Sequence, residues 1–250
     1  MQRLLEICCG DIDSVDAAIA GGADRIELCS ALSEGGLTPS AGLIAEATKR
    51  GIAVNVLIRP RGGDFVYTKS ETDIMLHDIA TAATLGANGV VIGALSPDGT
   101  IDTEISSLLI LKAKSLGLET TYHRAFDMCS NPETALEIII NLGADRLLTS
   151  GQASTALAGI QQISMLKNVA GNRLKIMAGC GVSPENVAEI IEKSNLNEVH
   201  ASAKTQVRSS MTFINQNAKM GTVDDYLRTT SSKSIVNELS KIVHSYDTKA

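Results

Sequence analysis

The sequence predicts a single (β/α)8 barrel of the TIM type, an α/β fold, with a polar C-terminal extension and a closing helix. Three observations carry that expectation. First, short segments alternate aliphatic residues with ionisable, thiol or other polar ones. Leu5 and Ile7 alternate with Glu6 and Cys8, and Ile26 and Leu28 with Arg25, Glu27 and Cys29. Val54, Val56 and Ile58 alternate with Asn55, Leu57 and Arg59, and Val199 and Ala201 with Glu198, His200 and Ser202. A strand sends successive side chains to opposite faces, so each segment has one greasy face and one chemical face. An open parallel sheet covered by helices on both sides wants strands that are apolar throughout. A closed barrel instead turns one face to its helices and the other into a lumen. Second, Gly-Ala-Asp or Gly-Ala-Asn recurs at 22–24, 86–88 and 143–145, each time where a helical pattern stops and an aliphatic run begins. Glycine ends the helix in the left-handed region and Asp or Asn turns the chain into the next strand, which assigns these copies to the starts of strands two, four and six. Third, the chain has 250 residues, and such barrels run to about 250.

In order along the chain, strands are expected over 3–9, 24–29, 53–59, 88–93, 118–123, 145–149, 174–178 and 197–202. Helices fill 12–21, 40–50, 70–85, 102–116, 132–142, 154–169 and 185–193. Thr38-Pro39, Asn131-Pro132 and Ser183-Pro184 each place a capping side chain before a proline suited to the first helical turn. Residues 204–231 are polar and turn-rich, and from Ser232 the spacing of Ile235, Leu239, Ile242 and Val243 suggests a helix closing on the barrel. The whole chain, 1–250, reads as one domain, with the barrel over about 3–203 and the extension over 204–250.

Composition narrows the function. The formal charge is -6, from 22 Lys and Arg against 28 Asp and Glu, which argues against nucleic acid and anionic membrane as partners. Aromatic residues are 3% with no Trp, too few for a base-stacking platform. No apolar run approaches the roughly 18 residues of a spanning helix, and the first residues lack a secretory leader pattern, so a cytoplasmic protein is expected. Five cysteines without a CxxC fit neither a disulfide scaffold nor a zinc ribbon.

In a barrel of this type the site lies at the C-terminal ends of the strands. His123 ends strand five with Arg124 and Asp127 just beyond, and it is the leading acid–base candidate, since imidazole titrates near working pH. His200 and Glu27 share the lumen and the same logic. Arg59 and Arg61, with Gly62-Gly63 behind them, suggest a clamp for a carboxylate or phosphate. Ser150, Gly151, Gly179, Gly181 and Ser202 lie on the loops after strands six to eight, where many barrels grip phosphate. These residues suit an isomerase or lyase acting on a small anionic or phosphorylated metabolite. They equally suit an internal ion-pair network in which Arg25, Arg59, Arg146 and Lys175 compensate Glu6, Glu27 and Glu198. Cys9 has the parity of a helix-facing residue, and Cys129 and Cys180 read as packing residues, Cys180 lying near enough to the rim to be worth testing.

The same segments carry a family resemblance. Leu5-Glu6-Ile7-Cys8, GGADRIELCS over 21–30, EGGLTP over 34–39, IRPRGGDF over 58–65, HRAFD over 123–127, LTSG over 148–151 and EVHASA over 198–203 resemble the copper homeostasis protein CutC family. The resemblance spans about 4–221 and implies a TIM-type barrel that is cytosolic, self-associating and linked to copper. It also implies Cys8 and Cys29 as the copper ligands. Soft thiolates select Cu(I), while free cysteines are also among the most buried residue types, so core packing is the competing role. The sequence departs from the family pattern at Ile214, where an arginine is usual, and at Cys180, which interrupts a glycine run.

Overall fold

Eight parallel strands close on themselves in sequence order. They are β1 (Leu4–Cys9), β2 (Arg25–Leu28), β3 (Ala53–Leu57), β4 (Gly89–Ile92), β5 (Glu119–Tyr122), β6 (Arg146–Thr149), β7 (Lys175–Ala178) and β8 (Glu198–Ala201), with β8 pairing back onto β1. The computed structural model describes residues 2–220 and 224–247. Between the strands run α1 (Ile12–Gly21), α2 (Ala41–Thr48), α3 (Lys69–Thr84), α4 (Thr103–Ser115), α5 (Pro132–Asn141), α6 (Ile160–Ala170) and α7 (Val187–Ser194). No helix among the described residues is long and apolar enough to cross a membrane.

The Gly-Ala-Asp repeat is a strand clamp. In each copy the glycine has φ between +81° and +88°, which L side chains rarely adopt. The acidic or amide residue then grips the preceding strand through both backbone and side chain. Asp24 donates its N–H to Leu5 O and accepts the Leu5 N–H on Oδ2; Asn88 does the same with Val54, and Asp145 with Thr120. This sets the stagger of β2, β4 and β6 against the strands before them.

The outward faces of the strands carry Leu5, Ile7, Ile26, Leu28, Val54, Val56, Val90 and Ile92, all fully buried under the helices. Each such side chain contributes about 1.5–3 kcal/mol on burial. The lumen floor is ionic. Arg25 reaches Glu6 Oε2 through Nε at 2.5 Å and Glu198 Oε2 through a terminal nitrogen at 2.8 Å. Arg146, 1% exposed, pairs with the same Glu198 oxygen and donates to Thr121 Oγ1 at 3.1 Å. Of the expected internal network, the part around Arg25 and Arg146 forms, while Arg59 bonds only carbonyl oxygens. Lys175 is not part of it: it lies exposed at the opposite, N-terminal end of the barrel.

Three local expectations change. Asn131 caps α5 with Pro132 in its first turn, but Ser40 rather than Thr38 caps α2. Thr38 is drawn instead to β3's end, where its hydroxyl accepts the Arg59 N–H. Ser183-Pro184 opens a turn leading into α7, whose N-cap is Asn186. The helix expected from 154 starts at Ile160, because Gly159 is pressed onto Ser150 and Gly151: a Cβ there would lie 2.0 Å from Ser150 O.

The polar extension contains a β-hairpin that its composition did not suggest, β9 (Lys204–Arg208) paired antiparallel with β10 (Leu227–Ser231). Its seams are polar: Ser231 Oγ donates to Ser202 O, and Thr230 meets Ser14. The closing helix α8 (Lys233–Ser245) packs Val236 against Gly21 so tightly that a Cβ on the glycine would lie 2.5 Å from it.

Removing one member of the floor network leaves buried carboxylates without their cation. Arg25→Met is expected to cost about 3–5 kcal/mol in urea unfolding. A loss under about 1 kcal/mol would contradict the compensation argument.

Candidate functional site

A cavity of about 390 Å³ opens at the C-terminal ends of the strands, with Cys8, Glu27, Arg59, Phe65, His123 and His200 among its lining residues. Strand alternation puts Cys8, Glu27, His123 and His200 there, since each shares the inward parity of the floor residue two positions earlier, while Arg59 and Phe65 come from the segment after β3. One wall belongs to β1, β2 and β8. Cys8 Sγ and Cys29 Sγ lie 3.6 Å apart, and both cysteines are free. Cys29 is fully buried, and Leu57 and Val91 pack with the two sulfurs. Cys8, Glu27 and His200 each present a donor atom within 4.8 Å of the others. His200 is held from below and beside: its Nδ1 meets Glu6 Oε1 at 2.8 Å and its Nε2 meets Glu27 Oε2 at 3.4 Å.

The electrostatics of this wall follow from burial among paired charges. Burial alone would raise Glu6, but the Arg25 charge and the contacts with His200 outweigh it and hold the carboxyl at about 2. Burial opposes a charged His200, yet its contacts with Cys8 and Glu6 and the nearby Glu27 charge hold the imidazolium well above its ordinary range. Glu27 is pushed upward, mainly by burial. The neighbouring Cys29 sulfur, with burial, raises Cys8.

The facing wall, on β3 and β5, is built differently. Arg59, 5% exposed, donates to Glu34 O at 2.7 Å, Gly36 O at 3.0 Å and Gly63 O at 2.7 Å, and stacks 5.0 Å from the Phe65 ring. The Phe65 ring in turn lies 5.0 Å from that of His123. His123 accepts the Ala125 N–H on Nδ1, and burial followed by the Arg59 charge lowers its pKa to about 3. Burial thus favours the neutral imidazole at His123.

Not all expected site residues converge. Arg61 does not line the cavity. Its Nε goes to Glu71 at 2.6 Å, and its terminal nitrogens go to Asp64 and to the Gly62, Asp64 and Val66 carbonyls. The two-arginine clamp is thus not assembled, because Arg61 is occupied in folding its own loop. Of the five residues expected to cradle an anion, Gly181 and Ser202 line the cavity, while Ser150, Gly151 and Gly179 do not. Ser150 is engaged by Asp127, Ala153 and Arg124. Gly151 and Gly179 make room for Gly159 O and Leu148, which a Cβ would approach to 2.4 and 2.5 Å. After β8 comes the hairpin strand β9, so no helix N-terminus faces the mouth there.

Cys9 packs into the outer core and Cys129 is buried, as expected. Cys180 instead lines the mouth, with φ +83° and its thiol donating to Ser154 O at 3.2 Å. Ile214 is exposed and does not line the cavity. Two residues carry weight that the sequence reading did not assign. Asp127 accepts from Thr149, Ser150, Gln152 and Arg124, joining the ends of β5 and β6. Gly93 stands where a Cβ would lie 2.5 Å from the His123 ring. Its position one residue past an aliphatic strand, with inward parity, was the available signal.

Fold and site together define a parallel (β/α)8 barrel protein with a thiol, imidazole and carboxylate cluster at its mouth. The model of the CutC family matches residues 3–205. A CutC family protein of Vibrio cholerae serotype O1 is 49% identical over 247 residues, covering 98% of this chain and 96% of the relative. One from Glaesserella parasuis serovar 5 is 52% identical over 219 residues, covering 87% and 89%. Among solved structures, that described as copper homeostasis protein CutC from Streptococcus agalactiae superposes with a TM-score of 0.76 at 34% identity, covering 80% of this chain and 99% of the other. The chain belongs to the CutC family.

Below pH 6.5, the ordinary histidine value, the unfolded chain takes up a proton at His123 that the folded chain refuses until about pH 3. Stability from this group is therefore lost as pH falls through that window. Between pH 6.5 and about pH 5, wild type should lose about 1.5–2 kcal/mol more than His123→Phe in urea unfolding. Equal pH slopes would contradict the buried neutral assignment.

Proposed function

We propose that this protein binds copper as Cu(I) at the barrel mouth through the sulfurs of Cys8 and Cys29, and that it serves copper homeostasis in the cytosol as a single-domain chain that self-associates. The observation that carries this reading is the pair of free sulfurs 3.6 Å apart, Cys8 lining the open cavity and Cys29 fully buried behind it. Sulfur donors are the chemical match for a soft monovalent cation. The residues around them fit the role. Leu57 and Val91 surround the pair with apolar surface, and a low dielectric strengthens binding of a cation to two thiolates. Metal binding requires thiols to shed protons, and Glu27, whose carboxyl burial makes more basic, lies beside Cys8 to receive one. His200 is a further donor within reach, although Glu6 and Glu27 already engage both of its nitrogens. The name carried by the S. agalactiae structure supports the link to copper.

Competition titration with a chromogenic Cu(I) chelator under reducing conditions tests this directly. Wild type should take Cu(I) from the chelator, and the Cys8→Ser, Cys29→Ser double variant should bind at least tenfold more weakly, about 1.4 kcal/mol or more. Equal binding by the two proteins would refute the thiolate site.

A further inference from the structure

The wall facing the thiols holds two features that its own packing leaves unanswered. The first is His123. Its Nδ1 accepts a backbone N–H, so the ring proton of the neutral tautomer resides on Nε2. The Nδ1–Cε1 edge is packed onto Gly93, and the residue itself lines the cavity. His123 is 5% exposed, and its Nε2 has no hydrogen-bond partner. A buried N–H donor without an acceptor costs about 1–3 kcal/mol. The second is Arg59. Its guanidinium is buried in the same wall, is bonded to three carbonyl oxygens and has no carboxylate partner among the described residues. Its Nε also lacks an acceptor.

Charge accounting in the lumen gives these features a direction. Glu6, Glu27 and Glu198 stand against Arg25, Arg146 and His200, and every one of those six contacts an opposite partner. Asp127 is paired with Arg124. Arg59 is left as a buried positive charge compensated by carbonyl dipoles and the face of the Phe65 ring, with no carboxylate partner among the described residues. Buried charges are normally paired, and an unpaired cation beside an unfilled donor in an open cavity calls for an anion. Lys204 and Glu34 line the same mouth and contribute one charge of each sign to its rim.

We propose that the β3–β5 wall is a binding site for a small oxyanion, a carboxylate or a phosphate group, with one ligand oxygen accepting the His123 Nε2–H and the Arg59 guanidinium supplying the countercharge. His123 is then a neutral hydrogen-bond donor to the ligand, as distinct from an acid–base group. The site is separate from the two sulfurs and shares their cavity.

Protein labelled with 15N-histidine gives the readout, using inorganic phosphate in one titration and pyruvate in another. At least one should produce a saturable shift of the His123 Nε2–H resonance with a Kd of about 1 mM or tighter. Whichever probe saturates identifies the headgroup class. By calorimetry, His123→Phe should weaken that probe at least about tenfold, the value of one hydrogen bond to a charged group. Arg59→Lys, which keeps the charge should the carbonyl contacts matter for folding, should retain measurable binding, while Arg59→Gln should lose it. If neither probe moves the His123 resonance, or if His123→Phe binds as tightly as wild type, the proposal is overturned.

Discussion

Everything at the mouth of this barrel depends on the compensation of buried charge one layer below it. Arg25 lies between Glu6 and Glu198, and Arg146 fixes Glu198 from the other side. Single ions would be too costly in that lumen, and the set is tolerable because each has a partner in good geometry. The consequence reaches upward. Glu6, held ionised by Arg25, anchors His200, and His200 carries the orientation to Glu27 and Cys8. The floor therefore acts as the rigid support on which the thiol wall is built.

The two walls of the mouth carry different groups because they arise from different strands. β1, β2 and β8 are neighbours through the closure of the barrel, so Cys8, Cys29, Glu27 and His200 gather without any loop having to bring them together. β3 and β5 face them across the cavity with Arg59 and His123, spaced by the Phe65 ring. β4, lying between those two, contributes Val91 and Gly93, small enough to let the sulfurs and the imidazole approach. The polarity across the mouth, soft donors opposite positive charge, suits a soft cation and an anion held side by side.

Much of this was legible in the alternation of side chains along each segment. Because the period of a strand is two, Glu6 and Cys8, or Arg25, Glu27 and Cys29, had to share a face, and the Gly-Ala-Asp repeat set where the even strands begin. What could not be read was how long side chains spend their donors. Arg59 and Arg61 are two residues apart with the same parity, yet one enters the cavity wall and the other folds back on Asp64 and Glu71. Glycines were ambiguous in the same way: Gly151 and Gly179 look like an anion cradle in sequence and serve close packing in three dimensions. The β9–β10 hairpin escaped notice because its strands are mostly exposed and polar and lie far apart in the chain, so neither shows the hydrophobic alternation that marks a strand.

The central claim is that two sulfurs at the barrel mouth hold copper. X-ray absorption at the copper edge of protein loaded with Cu(I) addresses it most directly, since the spectrum reports the atoms bonded to the metal. Ligation by Cys8 and Cys29 gives nearest neighbours dominated by two sulfur scatterers, lost in the Cys8→Ser, Cys29→Ser variant. A shell of nitrogen and oxygen alone, or a sulfur shell that persists in that variant, would contradict it.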